Sequence, residues 1–271
     1  MGILRKFVSS FKNNSMSDYQ NNGFLSRIPI VTKNILIINL LVWGACYVLG
    51  RSGFNLSGIL GLYFPGSQGF YLFQTITYMF THVALPHIFF NMFAVFMFGG
   101  SLENLWGPKK YLTFYMVTGI GAGLIQLLVC YLRITSISSG LPEGAMEYIQ
   151  SEGYNLLQTG RNYTDPAMEN LNLLFNIPTI GASGSVFGLL LAFGMLFPNA
   201  PIYLMFIPIP IKAKYFVAGY GLIELYLGVA NRTGDNVAHF AHLGGMIFGI
   251  LLILYWKKKR KQNNGNYYQQ Y

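Results

Sequence analysis

The run Gly181-Ala182-Ser183-Gly184-Ser185-Val186-Phe187-Gly188 opens an apolar segment that continues to Phe197. Two serines and three glycines at the head of so apolar a helix indicate that something approaches its first turn. Small residues let backbones come close, and a helix start offers free N–H groups that hold negative charge. Both properties suit a serine nucleophile with an oxyanion to stabilise. The competing reading is a small-residue packing face with Ser183 bonded to backbone. A soluble nucleophile elbow needs Gly two residues after the serine. That position is Ser185, so the elbow pattern fails.

A serine needs a base, and His242 is placed to be one. Gly184 and Gly188 form a GxxxG pair beside Ser183, and Gly245 and Gly249 form another at i+3 and i+7 from His242. His242 therefore points where one helix backbone meets a neighbour most closely. Such contact brings an imidazole within reach of a hydroxyl. Other residues compete. Ser185 lies about 200° around the helix from Ser183 and reads as packing. His239 lies one turn from His242, nearer the helix start. His82 belongs to no motif and reads as an interfacial histidine. Glu224 is a carboxylate inside an apolar run; it could complete a triad, but nothing in its spacing ties it to His242, so a structural hydrogen-bonding role is preferred. Glu103, in a short loop with Trp106 and Gly107, reads as a loop-fixing residue. His239 and His242 could share a metal, yet no HExxH is present and no Cys or Asp completes a site, so no metal is expected.

The elements that must position these residues are membrane helices. The chain is 53% hydrophobic and 10% charged, with mean hydropathy +0.41, which excludes an ordinary soluble domain. Apolar runs of membrane length recur. Residues 1–33 read as a polar cytoplasmic tail with a short interfacial helix near its start, and the late first apolar run argues against a cleaved signal peptide. Six spans are expected within 34–256, near 35–49, 85–100, 111–132, 182–197, 215–229 and 239–256. Residues 51–81 read as an interfacial loop packed on the bundle, 133–179 as an extracytoplasmic insert that folds as a small cap, and 257–271 as a basic, polar cytoplasmic tail. Cys46 and Cys130 lie inside apolar runs and imply no disulfide framework.

Fourteen of the eighteen Lys and Arg fall on one side if the N-terminus is inside, so both termini are expected in the cytoplasm. The net charge of +9 sits beside apolar runs and fits a membrane surface, not nucleic acid. Ser183, His242 and His87 each lie fourteen residues, about 21 Å, from the inner ends of their spans. They share a level below the outer surface of a hydrocarbon core roughly 30 Å thick. Asn91, at i+4 from His87, lies about 6 Å deeper on the same face. Polar residues converging at one depth form a functional site.

These residues resemble the rhomboid family of intramembrane serine proteases. The resemblance rests on His87-Ile88-Phe89-Phe90-Asn91, Gly181-Ala182-Ser183-Gly184 and Ala241-His242-Leu243-Gly244-Gly245, and it covers roughly 35–256. It implies an all-α, six-helix rhomboid-like membrane bundle. It also implies a serine endopeptidase with Ser183 as nucleophile and His242 as general base, a dyad without a carboxylate. His87, Asn91 and the Ser183 backbone N–H would stabilise the oxyanion. The partners implied are single-span or other membrane-protein substrates in a lipid bilayer; no cofactor is implied, and the compartment expected is a bacterial inner membrane. Phe187 stands where the family often has a hydroxyl-bearing aromatic, and it is expected to stack on His242. The first outer loop lacks the Trp-Arg pair of some members. A non-catalytic rhomboid-like binder would be favoured by loss of the serine or histidine, and both are present. A small-solute transporter would carry paired half-repeats, and spans one to three show no similarity to four to six.

Overall fold

Each long apolar run of the sequence forms a helix in a computed structural model, which describes residues 24–204, 207–230 and 237–267. Among the described residues, four helices are long and apolar enough to cross a membrane: α1 (Ile30–Arg51), α4 (Leu85–Trp106), α5 (Pro108–Ser138) and the first part, His239–Arg260, of α10 (His239–Tyr267). The other two expected spans are helices of lesser length or apolarity. The apolar helix α8 (Ser183–Leu196) has 14 residues, about 21 Å of rise. Helix α9 (Ala213–Ala230) carries Lys214 and Glu224 in its 18 residues. The expected interfacial helix near the N-terminus lies outside the described residues.

Helix ends follow local backbone chemistry more than hydropathy. Gly107 (φ 79°) ends α4 and Pro108 starts α5, so two long helices meet with almost no loop. Pro29 offers α1 no side-chain cap. Glu103 supplies one from α4: its carboxylate accepts Val31 N–H at 2.9 Å and Thr32 N–H at 2.7 Å. The Thr32 hydroxyl adds a third bond at 2.8 Å. Glu103 thus lies on a helix, not in a loop, and fixes where the first helix begins.

Helix α8 is the centre. Ten of its residues are buried, on all faces, as expected of a helix with no polar side. Its glycines admit neighbouring backbones. A Cβ built on Gly245 would run into the Gly184 carbonyl, and one on Gly188 would lie 2.7 Å from Thr118 Cβ of α5. The α8–α10 crossing is therefore a backbone-to-backbone contact at the level of the site.

The segment between α1 and α4 holds α2 (Leu56–Leu60) and α3 (Gln74–Thr77) and is organised by Gln74, which is fully buried. Its amide donates to the Ile59 and Gly69 carbonyls and accepts the Tyr71 N–H. Residues 139–179 form α6 (Ala145–Gln158) and α7 (Pro166–Asn176), whose Ile149, Leu171 and Phe175 bury against Cys130 and Ile134 of α5. The side chain of Gln68 ties this insert to the α2–α3 segment through the Gln150 and Ser151 carbonyls.

One element corrects the all-α expectation. Between α8 and α9, β1 (Pro201–Leu204) pairs antiparallel with β2 (Ile207–Lys212). Pro201, Pro208 and Pro210 argue against a strand inside a sheet, but in a two-stranded ribbon every strand has a free edge that tolerates proline. Helix α10 also runs on through Lys257–Lys261 to Tyr267, where no structural signal was expected.

Candidate active site

Ser183 is the first residue of α8, and Ala182 gives that helix start no side-chain cap. The strand-like approach to it is pinned at three points. Leu62 and Thr179 exchange backbone bonds at 2.9 Å, Gly181 N–H donates to the Tyr78 carbonyl at 2.9 Å, and Ala182 N–H donates to His82 Nε2 at 3.3 Å. Gly181 has φ +121°, a conformation that L side chains rarely adopt. A Cβ there would also sit 2.6 Å from His87 Cε1. Glycine before the serine is thus required twice, by backbone and by the His87 ring packed against it.

His242, in the first turn of α10, meets Ser183: Nε2 lies 2.8 Å from Oγ. Phe187 stacks flat on the imidazole, with centroids 4.2 Å apart and planes 7° apart, and Tyr220 of α9 stacks on Phe187 at 5.1 Å. The other nitrogen, Nδ1, lies 2.8 Å from Glu224 Oε2, and His239 Nδ1 lies 2.7 Å from the same oxygen. Glu224, which no spacing in the sequence tied to His242, is thus hydrogen-bonded to it. The two residues are on different helices, so no periodicity within either could reveal the contact. The signal that was available is the carboxylate itself, in the middle of an apolar helix.

The ligating atoms of Glu224, His239 and His242 all lie within 4.8 Å of one another, so the third metal-capable group not found by spacing is supplied by the fold. In this arrangement the two imidazole–carboxylate contacts already satisfy both Nδ1 atoms by hydrogen bonding.

His87 and Asn91, on α4, line the same cavity of about 1280 Å³ as Ser183 and His242. One Asn91 N–H donates to the His87 carbonyl at 3.0 Å, which leaves the second N–H of the amide for a ligand. Ser185 turns away: its hydroxyl donates to the Tyr115 carbonyl at 2.8 Å and it is 1% exposed. His239 faces Glu224 and not Ser183. His82 is fully buried, its ring 4.9 Å from that of His87, and it anchors the backbone just before the serine. Its partner is a backbone amide, which no sequence motif records.

A serine hydroxyl on an imidazole nitrogen, beside a helix start and a cavity with further donors, can carry out acyl transfer. The Rhomboid domain family model matches residues 69–259. RHOMBOID-like protein 12, mitochondrial, of Arabidopsis thaliana is 25% identical over 241 residues, covering 87% of this chain and 62% of its own length. Rhomboid protein 1, mitochondrial, of Saccharomyces cerevisiae is 28% identical over 173 residues, covering 64% of this chain and 38% of its own length. The human Presenilin-associated rhomboid-like protein, mitochondrial, is 25% identical over 182 residues, or 65% and 36%. The chain thus spans less than two thirds of each of these relatives. Their names place them in mitochondria and lend no support to the bacterial inner membrane expected above.

Proposed function

The chain belongs to the rhomboid family, and on that premise we propose that it is an intramembrane serine endopeptidase acting on transmembrane segments of other membrane proteins. The observation that carries this reading is the 2.8 Å contact between Ser183 Oγ and His242 Nε2 at the edge of the cavity. Ser183 attacks the scissile carbonyl carbon as Nε2 takes its proton. The tetrahedral oxyanion is held by the Ser183 backbone N–H, the free N–H of Asn91 and His87. His242 returns the proton to the leaving amine, leaving an acyl-enzyme on Ser183. Water, activated by the same imidazole, then hydrolyses the ester and regenerates the serine.

Six spans with both termini inside, the orientation the basic residues favour, would set this chemistry near the outer end of substrate helices. Helix α8, about 21 Å long in a core roughly 30 Å thick, leaves room for water above Ser183. The wall of the cavity formed by Phe90, Met97, Phe216 and Tyr220 of α4 and α9 suits an apolar segment arriving from lipid. A helical peptide bond is shielded by its own hydrogen bond and side chains, so substrates need helix-weakening residues in the outer half of their span.

Purified protein in liposomes with a panel of single-span membrane proteins tests the reading. Cleavage by the wild type and none by Ser183→Ala is expected. Capture of those proteins without cleavage would instead favour a rhomboid-like binder.

A further inference from the structure

We infer that Glu224 is a positioning residue for the Ser183–His242 pair, held in place by His239, so that the working unit is a chain of four side chains and not a dyad. The inference rests on the endopeptidase reading above. One carboxylate oxygen, Glu224 Oε2, lies 2.7 Å from His239 Nδ1 and 2.8 Å from His242 Nδ1, and His242 Nε2 lies 2.8 Å from Ser183 Oγ.

Glu224 is 5% exposed, on a helix whose neighbouring positions are apolar, where an ionised carboxylate persists only if its lone pairs are matched by donors. Two imidazole N–H groups converging on one oxygen provide that match and fix the carboxylate in one orientation. An ionised carboxylate only accepts hydrogen bonds, so both Nδ1 atoms carry the protons. For His242 this has a direct consequence. With the proton on Nδ1, the Nε2 lone pair is free and faces the Ser183 hydroxyl, which donates to it. The opposite tautomer would point an N–H at Ser183 and leave the serine without a base.

The carboxylate has a second effect. When Nε2 takes the serine proton, the ring becomes a cation stacked on Phe187 in a site where His242 is 9% exposed. Glu224 places a negative charge 2.8 Å from that ring, so the charge formed in the transition state is balanced within the buried site. His239 acts one step further out. It is one turn before His242 on α10, and the two rings stand nearly perpendicular, at 86°, so that both reach Glu224 without competing for Ser183.

Four proteins in detergent or nanodiscs decide this: wild type, Ser183→Ala, Glu224→Gln and Glu224→Leu. Each is given a serine-directed fluorophosphonate probe, and its histidines are read by ¹⁵N NMR. In the wild type the His242 signal should be that of an Nδ1–H imidazole. Glu224→Leu should lower the labelling rate about 10²- to 10⁴-fold and shift His242 towards the Nε2–H form. Glu224→Gln keeps an acceptor oxygen without the charge and should fall between. Because Glu224→Leu could unfold the site, each variant's affinity for an uncleaved substrate is measured on the Ser183→Ala background, where it should be unchanged. A folded Glu224→Leu protein labelled at the wild-type rate, or a wild-type His242 protonated on Nε2, overturns the inference. Failure of the wild type to react at all would overturn the endopeptidase reading, while the tautomer measurement would still judge Glu224.

Discussion

Replacing Gly245 with alanine adds one methyl group at the closest approach of α10 to α8. The built Cβ lies 2.7 Å from the Gly184 carbonyl carbon and closer still to its oxygen. Carbon atoms pack comfortably at about 3.5–4.0 Å, so the helices must separate locally by roughly 1 Å. The obstacle is backbone and cannot rotate away. Gly184 follows Ser183 directly and His242 is one turn from Gly245, so the separation acts on the 2.8 Å contact itself, stretching it past hydrogen-bonding range. Overpacking of this kind costs about 1–3 kcal/mol of stability. A 1 Å misplacement at reacting groups costs about 10²-fold in rate, near 2.7 kcal/mol of activation free energy. Gly249→Ala is the control: its nearest neighbours, Leu191 Cδ2 and Phe114 Cζ, lie 3.3 Å from the built Cβ and have only tenths of an ångström to give. Cleavage of one single-span substrate in liposomes, with thermal unfolding of the same samples, compares the two. A Gly245→Ala protein with wild-type turnover and melting, or one no worse than Gly249→Ala, would refute the packing argument.

Asn91→Ala should lower turnover by about 10²- to 10³-fold, some 2.7–4 kcal/mol, at unchanged KM, because its second N–H is offered only to developing charge; a raised KM at constant kcat would make it a ground-state contact. Gly181→Ala should cost about 1–3 kcal/mol of stability and reduce turnover, since φ +121° and the His87 ring both oppose a methyl group; an unaltered melting curve would contradict this. Glu103→Ala should destabilise the fold by about 2–3 kcal/mol in denaturant titrations without touching the chemistry, as three donors at the start of α1 lose their acceptor. Loss of activity in a fully stable Glu103→Ala protein would show that it does more than cap.

The sequence exposes what repeats along one helix and conceals what joins two. Ser183 and His242 could be paired because each sits beside glycines at helical spacing, and the Gly184–Gly245 contact is where those glycines meet. The helices themselves were legible from hydropathy, but their ends were not: Pro108, Gly107 and Glu103 set the boundary of α4, α5 and α1 by backbone geometry and capping. No spacing or motif tied Glu224 or His82 to the site, because their partners, His242 and the Ala182 N–H, are reached only through the tertiary fold. The β1–β2 hairpin was hidden by its prolines, which mark it as irregular unless the strand is known to have a free edge.

The central claim is that Ser183, activated by His242, is the nucleophile. Reaction of the purified protein with a mechanism-based serine inhibitor, followed by peptide mapping, tests it most directly. The adduct should lie on Ser183 and should not form in His242→Ala, although that variant remains folded. Modification of Ser185, or undiminished modification of Ser183 without His242, would contradict the account.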